Sequence, residues 1–156
     1  MYKHYQLHNG IRIITDQIPH FRSVSIGLWF RAGSAYESPE ENGLSHFIEH
    51  MLFKGTKART ARQIAETMDS VGGQLNAFTA KEYTCFYCKV MDEHFELSLD
   101  LLSDMLLDSL FDPTEMEKEK SVILEEIDMY DDSPEDLVHE LLSEAYFGSH
   151  PLAMPI

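Results

Sequence analysis

Basic residues and cysteines are scarce in this chain of 156 residues, and long apolar runs are absent. Twelve Lys and Arg stand against 27 Asp and Glu, a formal net charge of −15, which argues against nucleic acid or an anionic membrane as a partner. No stretch approaches the roughly 18 apolar residues of a membrane-spanning helix, and the first residues lack the apolar segment of a secretory signal. We therefore expect a cytoplasmic protein with no membrane partner.

The negative charge is concentrated rather than spread. Residues 91–144 hold 19 of the acidic residues and only two basic ones, Lys118 and Lys120. Such a surface serves solubility or attracts a basic peptide, and composition does not choose between the two. A hydrophobic content of 44% is enough for one sizeable core, so the sequence predicts a single domain over residues 1–156.

The only two cysteines, Cys85 and Cys88, form a CxxC pattern that suggests a redox pair or half of a zinc site. They lie in YTCFYCKV, whose aromatic and β-branched residues predict a strand. Residues three apart on a strand face opposite sides, so this pair is badly placed to bind one ion or to form a disulfide. We predict two buried, reduced thiols.

The five residues from His46 to His50 carry the clearest chemical signal. On a helix, His46 and His50 are one turn apart and project from one face, and Glu49 falls on the same side. Two imidazoles and a carboxylate in this order form the HxxEH pattern of a group of metallohydrolases. Two solvated helix histidines with a glutamate between them are the alternative. The opposite face of the helix is apolar and is expected to face the core: Leu44, Phe47, Ile48, Met51 and Leu52.

A catalytic zinc ion takes three protein ligands and keeps one position open, so the two histidines need a third ligand. The segment TEMEKEKSVILEEIDMY offers Glu119 and Glu126, which share one helix face because they are seven residues apart. An acidic solvated helix face is the alternative interpretation. The need for a third ligand favours Glu126.

The rest of the chain predicts an α+β fold, with a mostly antiparallel sheet and helices packed on one face. Asn9-Gly10 indicates a hairpin, Asn42 and Gly55 are expected to begin and end the histidine helix, and Thr114 to cap a later one. The predicted elements are strands over 23–34, 74–79 and 83–91, helices over 60–71 and 95–110, and two acidic helices separated near Ser133-Pro134.

Three separated segments, GLSHFIEHMLFKGT, GGQLNAFTAKEYTCFY and VILEEIDMYDDSPEDLVHELL, resemble the insulinase and mitochondrial processing peptidase family of zinc metallopeptidases. The resemblance extends from about residue 7 to residue 156. It implies a zinc-dependent endopeptidase with one Zn²⁺ per chain, which cleaves extended or unfolded peptides by means of a metal-activated water. His46, His50 and Glu126 match the family's zinc ligands, Glu49 its general base, and Glu119 a further catalytic glutamate beside the metal.

By the same resemblance, Asn76 and Ala77 lie on an edge strand that binds the substrate backbone. Members of the family carry a second, similar half, so the chain is expected to be the N-terminal part of a longer protein. A C-terminal half, a partner subunit or a second copy would then complete the peptide-binding cleft. Two alternatives are a non-catalytic partner subunit and an S-ribosylhomocysteine lyase, which shares the HxxEH pattern and takes its third ligand from a cysteine.

Overall fold

The structure is a computed structural model that describes residues 2–156. Its strands are β1 (Tyr2–Gln6), β2 (Arg12–Asp16), β3 (Ser23–Phe30), β4 (Gln74–Thr79) and β5 (Thr84–Met91). Its α-helices are α1 (Leu44–Leu52), α2 (Ala61–Ser70), α3 (Phe95–Leu107), α4 (Pro113–Asp131) and α5 (Pro134–Phe147). Short 3₁₀ turns lie at Ser34–Tyr36, Pro39–Glu41, Asp92–His94 and Pro151–Ala153. No helix of the described residues is both long and apolar enough to cross a membrane.

Two antiparallel sheets form. The predicted hairpin β1-β2 is a separate two-stranded sheet, and the second sheet has the strand order β3-β5-β4. In that sheet Ala77 lies opposite Phe86, and Thr79 lies opposite Thr84. Since β4 pairs only with β5 within the described residues, its other edge is free.

The core lies between one face of the three-stranded sheet and helices α1, α2 and α3. Alternate residues of β5 point into it because side chains alternate along a strand. The architecture is α+β, as the sequence predicts. The buried cluster consists of Leu52, Ile64, Met68, Phe86, Cys88, Val90, Leu101, Leu102 and Met105.

The apolar face of α1 enters the core only at its C-terminal end. Met51 and Leu52 are buried, as expected. The expectation was wrong for Leu44 and Ile48, which are 46% and 37% exposed. Periodicity shows which side chains share a face, but the extent of the neighbouring layer decides how many of them are covered.

The predicted ends of α1 were also wrong. The N-cap is Gly43, with φ of 90°, rather than Asn42. A distant carboxylate does the capping: Glu37 accepts hydrogen bonds from the backbone N–H groups of Gly43 at 2.7 Å and Ser45 at 2.6 Å. The helix ends at Leu52, so Gly55 lies beyond its last turn.

Helix α4 begins at Pro113, and its cap is Asp112 rather than Thr114. The Asp112 carboxylate accepts from the backbone N–H groups of Thr114 at 2.9 Å and Glu115 at 3.2 Å. Pro113 occupies the first turn, where its missing N–H costs no hydrogen bond. The predicted break between the acidic helices is confirmed, with α5 starting at Pro134.

Cys85 and Cys88 are free and buried, which confirms the prediction of two reduced thiols. Burial raises the pKa of both thiols, although a hydrogen-bonding contact with Ser98 opposes the rise at Cys88. Both side chains are therefore held in the protonated, unreactive form.

Candidate metal centre

Helices α1 and α4 pack against each other and bring three potential ligand atoms together. His46 Nε2 and His50 Nε2 are 3.1 Å apart. Glu126 Oε2, from α4, lies 3.7 Å from His46 Nε2 and 3.5 Å from His50 Nε2. All three side chains are partly buried. The helical spacing places the two imidazoles, and the packing of α4 adds the carboxylate.

The spacing of these three atoms fits a small tetrahedral cation. Zinc binds imidazole nitrogen and carboxylate oxygen at about 2.0–2.2 Å, so two ligand atoms of a tetrahedral site lie roughly 3.3–3.6 Å apart. The three observed separations, 3.1, 3.5 and 3.7 Å, bracket that value. Two histidines and one carboxylate are also a donor set that zinc accepts, and three protein ligands leave a fourth position open.

Glu119 sits directly behind His50 and is buried. Its Oε1 lies 2.8 Å from His50 Nδ1. Because an ionised carboxylate can only accept, Nδ1 carries the proton, and the lone pair of the neutral ring is then on Nε2, which faces His46 and Glu126. Glu119 thus selects the tautomer that a metal at Nε2 requires.

Lys54 holds the other oxygen of Glu119, Oε2, through an ion pair. Burial by itself would raise the pKa of Glu119, but the hydrogen bonds from Lys54 and His50 outweigh burial and lower the pKa. Glu119 is therefore kept as a carboxylate close to the metal-binding atoms. No sequence pattern pointed to Lys54, because a lysine four residues after the pentad has no local signature.

Burial lowers the pKa of His46, and the neighbouring His50 ring lowers it further, against the opposing effects of Glu49 and Glu126. The neutral imidazole is thereby favoured. A neutral ring is the form that binds a metal, because a protonated ring has no free lone pair.

Glu49 projects from the same helix as the two histidines and is half-buried. Its Oε2 accepts a hydrogen bond from the hydroxyl of Thr79, at 2.5 Å. Thr79 is the last residue of β4, and α1 packs against that strand. The sequence did not predict this hydrogen bond either, because Thr79 lies 30 residues from Glu49.

Asn76 and Ala77, the residues predicted to bind substrate, are consecutive residues in the middle of β4. The turn after β4 fixes the direction of the backbone groups: Ala80 N–H donates to the carbonyl of Tyr83 at 2.8 Å. Along an antiparallel strand, the backbone groups of successive residues point alternately toward the partner strand and away from it. Ala80 bonds toward the β5 side, so the N–H and C=O of Thr79 and Ala77 point away from β5, towards the free edge. The N–H of Ala77 also contacts Asn76 Oδ1, at 2.9 Å.

Comparison with known proteins places these features in a family. Residues 12–156 match the family described as insulinase, peptidase family M16. The chain is 56% identical over its full length to YmxG of Bacillus subtilis, named as an uncharacterized zinc protease, and covers 38% of that protein. It is 45% identical over 150 residues, 96% of the chain, to SCO5738 of Streptomyces coelicolor, which bears the same description, and covers 33% of it.

Among solved structures, a protease from Helicobacter pylori matches 99% of the chain with a TM-score of 0.93. The two share 22% sequence identity, and the chain covers 38% of that protein. At this identity the match supports the fold alone. The chain thus spans only 33–38% of the length of these three proteins.

Proposed function

The chain belongs to the insulinase family, peptidase family M16, and from that premise we propose that it is the metal-binding part of a zinc-dependent endopeptidase. The observation that carries the proposal is the convergence of three ligand atoms from His46, His50 and Glu126, at separations suited to one zinc ion. Glu49 lies on the same helix as the two histidines, one residue before His50. One zinc ion per chain is expected.

A zinc ion held by two neutral imidazoles and one carboxylate keeps a net positive charge, which polarises a substrate carbonyl and lowers the pKa of water. Glu49 takes the proton from the attacking water and later delivers it to the leaving amine. Glu119 keeps His50 in the required tautomer and orientation. Lys54 in turn keeps Glu119 ionised.

The free edge of β4 supports an extended peptide as the substrate. A peptide that adds a strand there would form main-chain hydrogen bonds with Ala77 and Thr79, while Asn76 would lie beside it. Main-chain pairing reads little of the side-chain sequence, so it favours unfolded or extended peptides over a strict motif. A peptide paired at that edge would lie next to Glu49, because Thr79 belongs to the edge strand and its hydroxyl contacts the Glu49 carboxylate.

We infer that further polypeptide completes the peptide-binding cleft in the working enzyme. The relatives are much longer than this chain, and the acidic helices α4 and α5 leave large apolar side chains exposed, among them Leu124, Leu142 and Tyr146. A C-terminal half, a partner subunit or a second copy would cover such a surface. The 156-residue chain alone should therefore bind zinc but hydrolyse peptides weakly or not at all.

Metal content of the purified chain tests the site directly. Wild type should contain zinc close to one per chain, His50→Ala should lose it, and Glu49→Gln should retain it because Glu49 is not a ligand. In the full-length protein, Glu49→Gln should abolish hydrolysis of an unfolded peptide. Zinc retained in His50→Ala would overturn the ligand assignment. Zinc bound without any hydrolysis by the full-length wild type would point instead to a non-catalytic partner subunit.

A further inference from the structure

The contact between Thr79 and Glu49 links the strand edge to the metal helix. The Thr79 hydroxyl must be the donor, because the carboxylate can only accept. The 2.5 Å separation is in the range of a charge-assisted O–H···O⁻ hydrogen bond. Both side chains are half-buried, so water screens this contact less than it would at the surface.

The surroundings of Thr79 keep its hydroxyl in place. Its partner across the sheet, Thr84, is buried, donates to the carbonyl of Ala32 at 2.9 Å and lies 3.4 Å from the Thr79 hydroxyl oxygen. Thr84 thus uses its proton elsewhere, which leaves the Thr79 proton for Glu49. Thr79 is also β-branched, which restricts its χ1 rotation.

We propose that Thr79 is a positioning residue for Glu49, an inference that rests on the proposed function. By holding Oε2 it fixes the rotation of the carboxylate and leaves Oε1 to take the proton from water. The terminal torsion of a glutamate is broad, so without this bond the carboxylate rotates freely. Misplacement of a reacting group by about 1 Å can cost roughly 100-fold in rate.

The position of Thr79 connects this role to substrate binding. Its main-chain N–H and C=O point to the free edge of β4, where an extended peptide would pair, while its side chain points to α1. A peptide bound at that edge therefore immobilises the residue that orients the base. Substrate binding and alignment of the carboxylate act on the same residue.

Steady-state kinetics with an unfolded peptide, on the zinc-loaded full-length protein, give the first test. Thr79→Val should lower kcat about 10- to 100-fold with KM within about twofold of wild type. Thr79→Ser, which keeps the hydroxyl, should restore most of kcat. The matched control is Thr56→Val, which removes a buried hydroxyl that donates to Asp104 rather than to Glu49 and should lower the unfolding temperature with kcat retained. An equal loss of kcat in Thr56→Val, or no recovery in Thr79→Ser, would overturn the proposal.

The second test does not depend on activity. In metal-free protein, the urea midpoints of Thr79→Val, Glu49→Ala and the double variant form a cycle. The shift of the double variant should be smaller than the two single shifts together, because either change alone already removes the hydrogen bond. Additive shifts would show that Thr79 does not hold Glu49. If the full-length wild type lacks zinc-dependent hydrolysis, the proposed function fails, and this cycle still decides whether Thr79 holds the carboxylate.

Discussion

Replacement of Lys54 by Met should destabilise the metal-free protein by about 2–3 kcal/mol and weaken zinc binding at least about 10-fold. The side chain of Glu119 is only 6% exposed and that of Lys54 is 30% exposed. Removing one partner of a fully buried ion pair costs about 3–5 kcal/mol. Lys54 is partly solvated, and Glu119 keeps its hydrogen bond from His50. We therefore expect a cost somewhat below that range. Disturbing the group that hydrogen-bonds to a metal-binding histidine typically costs about 10- to 100-fold in metal affinity.

The chain contains a matched control three residues further on. Lys57 pairs with Asp108 at 2.7 Å, but the two side chains are 71% and 45% exposed, and a surface pair contributes about 0–1 kcal/mol. Urea unfolding followed by circular dichroism in a chelator gives the stability, and competition with a chromophoric chelator gives the zinc affinity. A cost for Lys57→Met equal to that for Lys54→Met, or unchanged zinc affinity in Lys54→Met, would refute the argument.

Three further predictions concern the frame around the site. Glu37→Gln should cost about 1 kcal/mol at pH 7 because the carboxylate caps α1. Burial by itself would raise the pKa of Glu37, but hydrogen bonds outweigh burial and lower the pKa from 4.5. The stabilisation by the Glu37 carboxylate is therefore present above pH 4.5 and is lost as the pH falls below it. Urea titrations should show the stabilities of wild type and variant converging in acid. Gly33→Ala should unfold at a much lower temperature in a thermal melt, since a Cβ there would lie 2.1 Å from the carbonyl oxygen of Ala80. Cys85 and Cys88 should react with a thiol reagent only on unfolding, and fast labelling of the native protein would contradict their burial.

Local sequence rules placed most of the elements because each rule uses neighbours within a few residues. The Gln74–Thr79 strand was predicted with its exact bounds, and the Pro134 start of α5 follows from a proline that fits only the first turn. The same rules failed at the start of α1. There the capping carboxylate belongs to Glu37, which lies further from the start of the helix than a capping pattern extends.

Sequence by itself determined the part of the site that lies on one helix. The 3.6-residue period puts His46, Glu49 and His50 on one side of α1, whatever surrounds the helix. The resemblance to a family then named Glu126 and Glu119 for roles that their own spacing left open.

Only the tertiary structure decided what those residues touch. Glu119 reaches His50 across 69 positions, and Thr79 reaches Glu49 across 30. Lys54 is paired to Glu119 because the segment that follows α1 passes α4. Contacts of this kind have no period in the sequence, since they arise only when the packing of helices on a sheet brings distant segments together.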